Sequence, residues 1–208
     1  MPKEPNESFL KYGFSVPRET LENLEKYVEL LLSWNQKHNL IGKGTVEHIW
    51  ERHIIDCYQL TKFLPNKNAT IIDFGTGAGL PGMILALSSY ENVTLIESIS
   101  KKCDFLHEVK KQLDLPVKIL NKRVEEVNFS REKQRRIFTS RAVAALPKLF
   151  KLLQNHINED DILLFQKGAN YQAEISAAQK LWKFKFKTFK SVTSEQSVIL
   201  QIQNLSWK

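Results

Sequence analysis

Apolar residues recur at helical spacing in the first third of the chain and in short continuous runs after it. Leu21, Leu24, Val28, Leu31 and Leu32 share one face of a helix that opens at Pro17 and ends near residues 34–40, with Gly42 and Gly44 marking its exit. A second helix is expected from about residue 45 to residue 64. From residue 69 the period changes. Apolar runs predict strands near 70–73, 93–97, 117–120, 136–139 and 161–166, with helical patterns between them. Strand and helix in alternation predict a parallel sheet with helices on both faces. Segments 183–189 and 196–203 predict an antiparallel pair at a sheet edge. With no internal repeat or low-complexity linker, the expectation is one compact α/β unit over 67–208 behind an N-terminal helical cap over 1–66.

Residues 70–82, Thr-Ile-Ile-Asp-Phe-Gly-Thr-Gly-Ala-Gly-Leu-Pro-Gly, carry the most information. An apolar run leads into Asp73, Gly75, Gly77 and Gly79 alternate, and the apolar stretch 83–87 starts a helix. Strand, glycine turn and helix N-terminus together form a nucleotide-type cofactor site at the carboxyl end of a parallel sheet. Residues 77–82 fit G-x-G-x-x-G, and Glu97 follows Gly77 by twenty positions, where a dinucleotide enzyme keeps its ribose-binding acid. Read from Asp73, the same stretch is the acidic-x-Gly-x-Gly-x-Gly pattern of S-adenosylmethionine (SAM) methyltransferases. A carboxylate at the strand end repels a pyrophosphate but suits the sulfonium and amino group of SAM, which favours the second reading. A dinucleotide site and a ligand-free tight turn are the alternatives.

The 208-residue chain has 30 Lys+Arg against 23 Asp+Glu, a net charge of +7, which is compatible with a polyanionic partner. Cys57 and Cys103 are too few for a disulfide framework or a zinc site, and the five histidines lack metal-ligand spacing, so no metal is expected. The first eight residues lack an apolar core, and no run is long enough to span a bilayer. A cytoplasmic location away from membranes is expected.

Strand 93–97 ends in Glu97, a carboxylate placed to accept both hydroxyls of a ribose. Val124 and Glu125 follow the next strand, where an adenine would meet apolar contacts and backbone N–H groups; a solvated helix start uses the same residues. Trp34-Asn35 with Asn39-Leu40, Arg52-His53-Ile54-Ile55-Asp56, the glycine loop from Asp73 to Gly82, Arg123-Val-Glu-Glu126, Ser140-Arg141-Ala142 and Lys167-Gly168 occur in one order over roughly residues 20 to 180. In that order they resemble the bacterial 16S rRNA guanine-N7 methyltransferase family called RsmG or GidB. The resemblance implies a class I SAM-dependent methyltransferase fold (Rossmann-like), SAM as methyl donor and a guanosine of 16S rRNA in the small ribosomal subunit as acceptor. It also implies cofactor contacts at Gly75, Gly77, Gly79, Leu80, Glu97 (where relatives often carry Asp), Val124, Glu125 and Arg141. Cys57 and Val143 depart from the family pattern without removing a motif charge or glycine, and the chain beyond residue 180 matches the family poorly. A monomer is expected.

Guanine N7 carries a lone pair and loses no proton on methylation, so no general acid or base is nominated; placement is the requirement. Arg141 is expected either to order the space between donor and base or to serve as a structural ion-pair partner. Candidate RNA contacts are Arg52 and His53 in the cap, and Lys101, Lys102, Arg123 and Lys167 at element ends bordering the cofactor cleft. In the run 180–190, Trp182, Phe184 and Phe186 alternate with Lys183, Lys185 and Lys187. This pattern suits aromatics in a core with lysines blunting a sheet edge, or an RNA-binding face.

Overall fold

The computed structural model describes residues 5–129 and 135–208; residues 1–4 of the expected cap lie outside them. Helix α1 (Pro5–Lys11) precedes the long α2 (Arg18–His38), which starts after Pro17 and closes on Asn39 in a left-handed conformation (φ 46°). Glu19 in its first turn and Lys37 and His38 in its last complement the helix dipole. Its apolar face buries Leu24, Tyr27, Val28 and Leu31.

The second expected helix is helical but not of one winding. A 3-10 segment (Lys43–His48), a π turn (Trp50–Ile55), a single α turn α3 (Asp56–Tyr58) and another 3-10 segment (Gln59–Phe63) follow one another. The Arg141 guanidinium donates to the Arg52 carbonyl at 3.0 Å, and the Asp56 N–H turns to the His53 carbonyl. A side chain inserted into a helical ladder is a known cause of such a change in winding.

The α/β part alternates as expected: β1 (Thr70–Phe74), α4 (Gly82–Leu87), β2 (Val93–Glu97), α5 (Ser100–Gln112), β3 (Lys118–Asn121), β4 (Arg136–Arg141), α6 (Leu146–Leu153), β5 (Ile162–Lys167), α7 (Tyr171–Gln179), β6 (Trp182–Lys190) and β7 (Val198–Trp207). The sheet order is β3-β2-β1-β4-β5-β7-β6. The strands β3 to β5 in that order run parallel, while β7 is antiparallel to both β5 and β6. Connections leave β1 in one direction and resume at β4 in the other, so the topological switch point lies between these two strands. Open α/β sheets hold ligands in the crevice above that point.

Side-chain alternation divides the core in two. Ile71 and Leu95 face a cluster shared with the cap residues Phe9, Tyr27, Leu31 and Tyr58. Ile72, Phe74 and Phe138 face a second cluster with Leu149 and Phe150 of α6 and Ala178 of α7. The cap therefore shares a core with the sheet. At the sheet edge, β6 shifts register between Lys183 and Lys185, so the expected clean alternation breaks. Trp182 is buried and Phe184 half-buried, Phe186 is 41% exposed, and Phe189 packs on Phe63 of the cap at 4.6 Å.

Candidate active site

The loop after β1 is held by its own polar groups. Asp73 Oδ2 accepts the Thr76 hydroxyl and the Gly82 N–H (2.7 Å), which joins the strand end to the start of α4. The other oxygen, Oδ1, is buried and accepts no bond among the described residues. Burial pushes this carboxyl up to about 7, against the two hydrogen bonds that pull it down. Asp73 thus points into the loop's base and not across it, which revises the expectation of a carboxylate facing the cofactor. Its backbone position follows from alternation: Ile72 and Phe74 point to one side of the sheet, Ile71 and Asp73 to the other.

Gly75, Gly77 and Gly79 all have positive φ. At Gly77 (φ +60°) a Cβ would meet nothing within 4 Å, so the backbone there borders open space. At Gly82 a Cβ would lie 2.4 Å from Leu95 Cδ2 and 2.8 Å from Asp73 Cβ, so this glycine permits the close approach of α4 to the sheet. Leu80 is buried in the core. Tyr27 of α2 donates its hydroxyl to the Ala78 carbonyl at 2.7 Å, a contact that ties the cap to the loop.

Glu97 ends β2 almost fully buried. One carboxylate oxygen accepts the Gly77 N–H at 2.9 Å and the other the Ile99 N–H at 2.9 Å. Beside it a cavity of about 190 Å³ is walled by Phe74, Gly75, Ile96 and Val124, with Glu125 and Arg123 at its rim. The Val143 side chain lies over Gly75, its Cγ2 2.5 Å from where a Cβ would stand. Gly75, Val124 and Glu125 line this cavity, while Gly77 and Glu97 are joined to each other by the hydrogen bond at 2.9 Å and are not part of its lining. Lys101 and Lys102 lie in the first turn of α5.

Arg141 is elsewhere. At the end of β4 its guanidinium reaches the cap, donating to the Arg52 carbonyl, to Asp56 Oδ2 (3.3 Å) and to His53 Nδ1 (2.7 Å). It forms the ion pair of the second sequence-based expectation. A guanidinium only donates, so Nδ1 accepts and the ring proton sits on Nε2, 2.7 Å from Thr45 Oγ1, whose hydroxyl donates to the Gly42 carbonyl. Burial, with the nearby charges of Arg141 and Arg52, lowers His53 to about 4. Both ring nitrogens are engaged, so His53 does not face outward as an RNA contact would. Arg52 itself is exposed. Lys167 is also turned inward: 8% exposed, it donates to the Ala144 carbonyl at 2.8 Å and pairs with Glu174 at 2.7 Å.

Asp56 is the residue that sequence reasoning left without a role. Its Oδ2 accepts Arg141 and Gln166 Nε2 (2.7 Å), and its Oδ1 accepts Gln59 Nε2 (2.9 Å) and Thr193 Oγ1 (2.8 Å). One carboxylate therefore joins the cap, β4, β5 and the β6–β7 connection. Around it a second cleft, about 340 Å³, is bordered by Thr45, Arg52, Gln166 and Ser191. Among the described residues no three His, Cys, Asp or Glu side chains cluster as a metal site.

Comparison with known proteins adds the family. The model of the GidB family, rRNA small subunit methyltransferase G, matches residues 20–203. The chain belongs to this family. The match includes both clefts and extends past residue 180, where the motifs alone had carried little. A ribosomal RNA small subunit methyltransferase G of Rickettsia felis is 37% identical over 191 residues, covering 92% of this chain and 97% of that protein. Its counterpart from Orientia tsutsugamushi is 37% identical over 195 residues, covering 94% and 96%. Among solved structures, a ribosomal protein L11 methylase from Lactobacillus delbrueckii subsp. bulgaricus superposes with a TM-score of 0.56 at 14% identity, covering 72% of this chain and 76% of that one. A point mutant of MtNAS in complex with S-adenosylmethionine superposes with 0.57 at 11% identity, covering 89% and 76%. At that identity they establish the fold, a class I methyltransferase-type sheet.

Proposed function

We propose that this chain transfers the methyl group of S-adenosylmethionine to N7 of a guanosine in 16S rRNA of the small ribosomal subunit. The observation that carries this reading is the family match across residues 20–203, which takes in the glycine loop and both clefts. The loop suits the cofactor. Gly77 leaves open space above its backbone, and Phe74, Ile96 and Val124 offer apolar walls to an adenine. The Glu97 carboxylate spends two of its roughly four acceptor positions on backbone N–H groups, which leaves two for ribose hydroxyls. Gly75, Gly79, Leu80 and Glu125 contribute by shaping the loop and the rim. When bound, S-adenosylmethionine supplies an electrophilic methyl carbon, which N7 takes with its own lone pair without loss of a proton.

The chain's own residues need only bind, orient and exclude water. His53 agrees with this, since its neutral ring is fully hydrogen-bonded and idle as a base. Arg141 acts through the cap, as a positioning residue joining β4 to Asp56 and His53. RNA phosphates are met by the exposed Arg52, Lys101 and Arg123, with the half-exposed Lys102 beside them. The net charge of +7 supports a polyanionic substrate. No helix among the described residues is long and apolar enough to cross a membrane. We take the protein to act as a cytoplasmic monomer.

Methyl transfer from labelled S-adenosylmethionine to small-subunit rRNA from cells lacking this gene tests the proposal, followed by mapping of the modified base. A single N7-methylguanosine is expected. Label at an amino group, at a pyrimidine, or in no RNA at all would overturn it.

A further inference from the structure

The loop after β1 spends nearly all of its backbone N–H groups inside the protein. Gly75 and Thr76 donate to the Ile96 carbonyl at 2.8 and 3.2 Å, and Gly77 donates to Glu97 at 2.9 Å. Gly79 and Leu80 both donate to the Thr76 carbonyl at 2.9 Å. Between them one peptide is left over. Neither the Gly77 carbonyl nor the Ala78 N–H has a partner among the described residues, so the Gly77–Ala78 peptide is held only through its neighbours. It also stands beside open space: Gly77 is half-exposed, and a Cβ there would meet nothing within 4 Å.

On one side that peptide is secured by Glu97 of β2, and on the other by the cap. Tyr27 of α2 reaches across 51 positions of the chain, and its hydroxyl donates to the Ala78 carbonyl at 2.7 Å. Tyr27 and Ala78 are both buried, so water does not stand ready to replace the bond. The ring is fixed as well. It packs on Phe105 of α5 at 6.1 Å, and Phe105 packs on Trp34 of α2 at 5.7 Å. Gly77 and Gly79, the residues that resist rotation least, flank Ala78 with positive φ. Untethered, the Ala78 carbonyl is free to turn toward water, and the Gly77–Ala78 peptide turns with it.

We propose that Tyr27 is a positioning residue of the cofactor site: from the cap, it holds the Gly77–Ala78 peptide in the orientation that receives S-adenosylmethionine. The inference rests on the methyltransferase reading and gives the cap a part in cofactor binding as well as in RNA contact. Tyr27 is buried in the core and acts only through Ala78. The cap is therefore no separable extension, because the loop is complete only when α2 is docked on α4 and α5. Without the hydroxyl the loop is competent for part of the time, and the apparent affinity falls by that fraction.

The test is calorimetric S-adenosylmethionine binding by Tyr27→Phe, beside a thermal melt that shows the variant folded. Loss of one bond to a buried carbonyl sets the scale, and the dissociation constant is expected to rise roughly five- to hundredfold. In methyl transfer to the small subunit, KM for S-adenosylmethionine should rise by a similar factor while kcat stays within about twofold, since bound cofactor restores the loop. Anisotropy of an rRNA fragment without cofactor should be unchanged. Val28→Ala, the next residue of α2 and also buried, loosens the cap without touching Ala78; it should lower the melting temperature and keep the dissociation constant. Amide exchange of the ligand-free wild type needs no variant: the Gly79 and Leu80 N–H groups should exchange no faster than those in the middle of α2. A Tyr27→Phe dissociation constant within about threefold of wild type, an equal rise in Val28→Ala, or Gly79 and Leu80 exchange as fast as in the exposed segment 66–68 overturns the inference and leaves the function standing. A wild-type protein that binds no S-adenosylmethionine overturns the cofactor reading, and the inference with it.

Discussion

Glu97→Gln replaces one carboxylate oxygen by an NH2 group at the end of β2, where the proposed function places a ribose contact. In the native protein both carboxylate oxygens accept backbone N–H groups at 2.9 Å, from Gly77 and from Ile99. Glutamine keeps one oxygen and turns the other into an NH2 group, a donor that must face one of the two N–H groups. One charge-assisted hydrogen bond is lost, worth about 1.5–3 kcal/mol. Because Glu97 is almost fully buried, water cannot fully replace that partner. Part of the loss appears as stability: at about 2–4 °C per kcal/mol for a domain of this size, Tm should fall by roughly 3–12 °C. Gly77 also borders open space, and the same carboxylate is proposed to accept the ribose hydroxyls. The bonds to the ribose hydroxyls lose their charge assistance as well, again about 1.5–3 kcal/mol, so the affinity for S-adenosylmethionine should fall roughly 10- to 150-fold at 1.4 kcal/mol per factor of ten. Isothermal calorimetry with S-adenosylmethionine and a thermal melt of the ligand-free protein measure the two separately. A dissociation constant within threefold of wild type would refute the role of Glu97 in the cofactor site, whatever happened to the melt.

The glycines separate the same two quantities. Gly77→Ala should cost only about 1–2 kcal/mol of backbone strain yet abolish measurable S-adenosylmethionine binding, because its Cβ would enter the open space. Gly82→Ala should do the reverse, lowering the melting temperature through its 2.4 Å clash with Leu95 while any folded fraction still binds, as calorimetry on the soluble protein would show. His53, lowered to about 4 from 6.5 mainly by burial, binds its proton in the unfolded chain before the folded one. Its contribution is therefore complete above about pH 6.5 and is lost as pH falls toward 4, by up to about 3 kcal/mol. Asp73, raised to about 7, acts with the opposite sign, so the check is the difference in melting temperature between wild type and His53→Gln across pH 4 to 7, which should shrink as pH falls. Replacing Lys183, Lys185 and Lys187 together by Gln should leave the salt dependence of rRNA binding unchanged and raise aggregation, as expected of edge-strand lysines; a slope reduced by about 0.7–0.9 per lysine would make them phosphate contacts.

The parts of this fold that could be read from the sequence are those with local causes. Buried strands such as Thr70–Phe74 and Val93–Glu97 are continuous apolar runs because both sheet faces are covered, and the glycine loop announces itself because positive φ at Gly75 and Gly77 asks for glycine whatever lies around it. What stayed hidden has causes far away in the chain. Within the π turn at residues 50–55 the Arg52 carbonyl accepts Arg141, 89 positions on, and the register shift in β6 breaks an alternation that looked regular as a string. Arg141 and Lys167 looked like charges free for a ligand, and only the packed cap and α7 show where their protons go.

The same distinction explains why one cleft was legible and the other was not. The cavity above β1 draws Gly75, Ile96 and Val124 from three consecutive strand ends, so chain order alone brings them together. The second cleft draws Thr45, Asp56, Gln166 and Thr193 from four parts of the chain, and each is an ordinary polar residue where it stands. They meet because Arg141 pairs in register with Gln166, and because Asp56 offers enough acceptor positions to bind the cap, β4, β5 and the β6–β7 connection at once. A carboxylate with four donors around it fixes the direction of each one. The orientation of the Gln166 amide, and with it the one acceptor left over, is a consequence of that saturation. That saturation is created by the assembly of the cap onto the sheet, which no segment of the sequence encodes by itself.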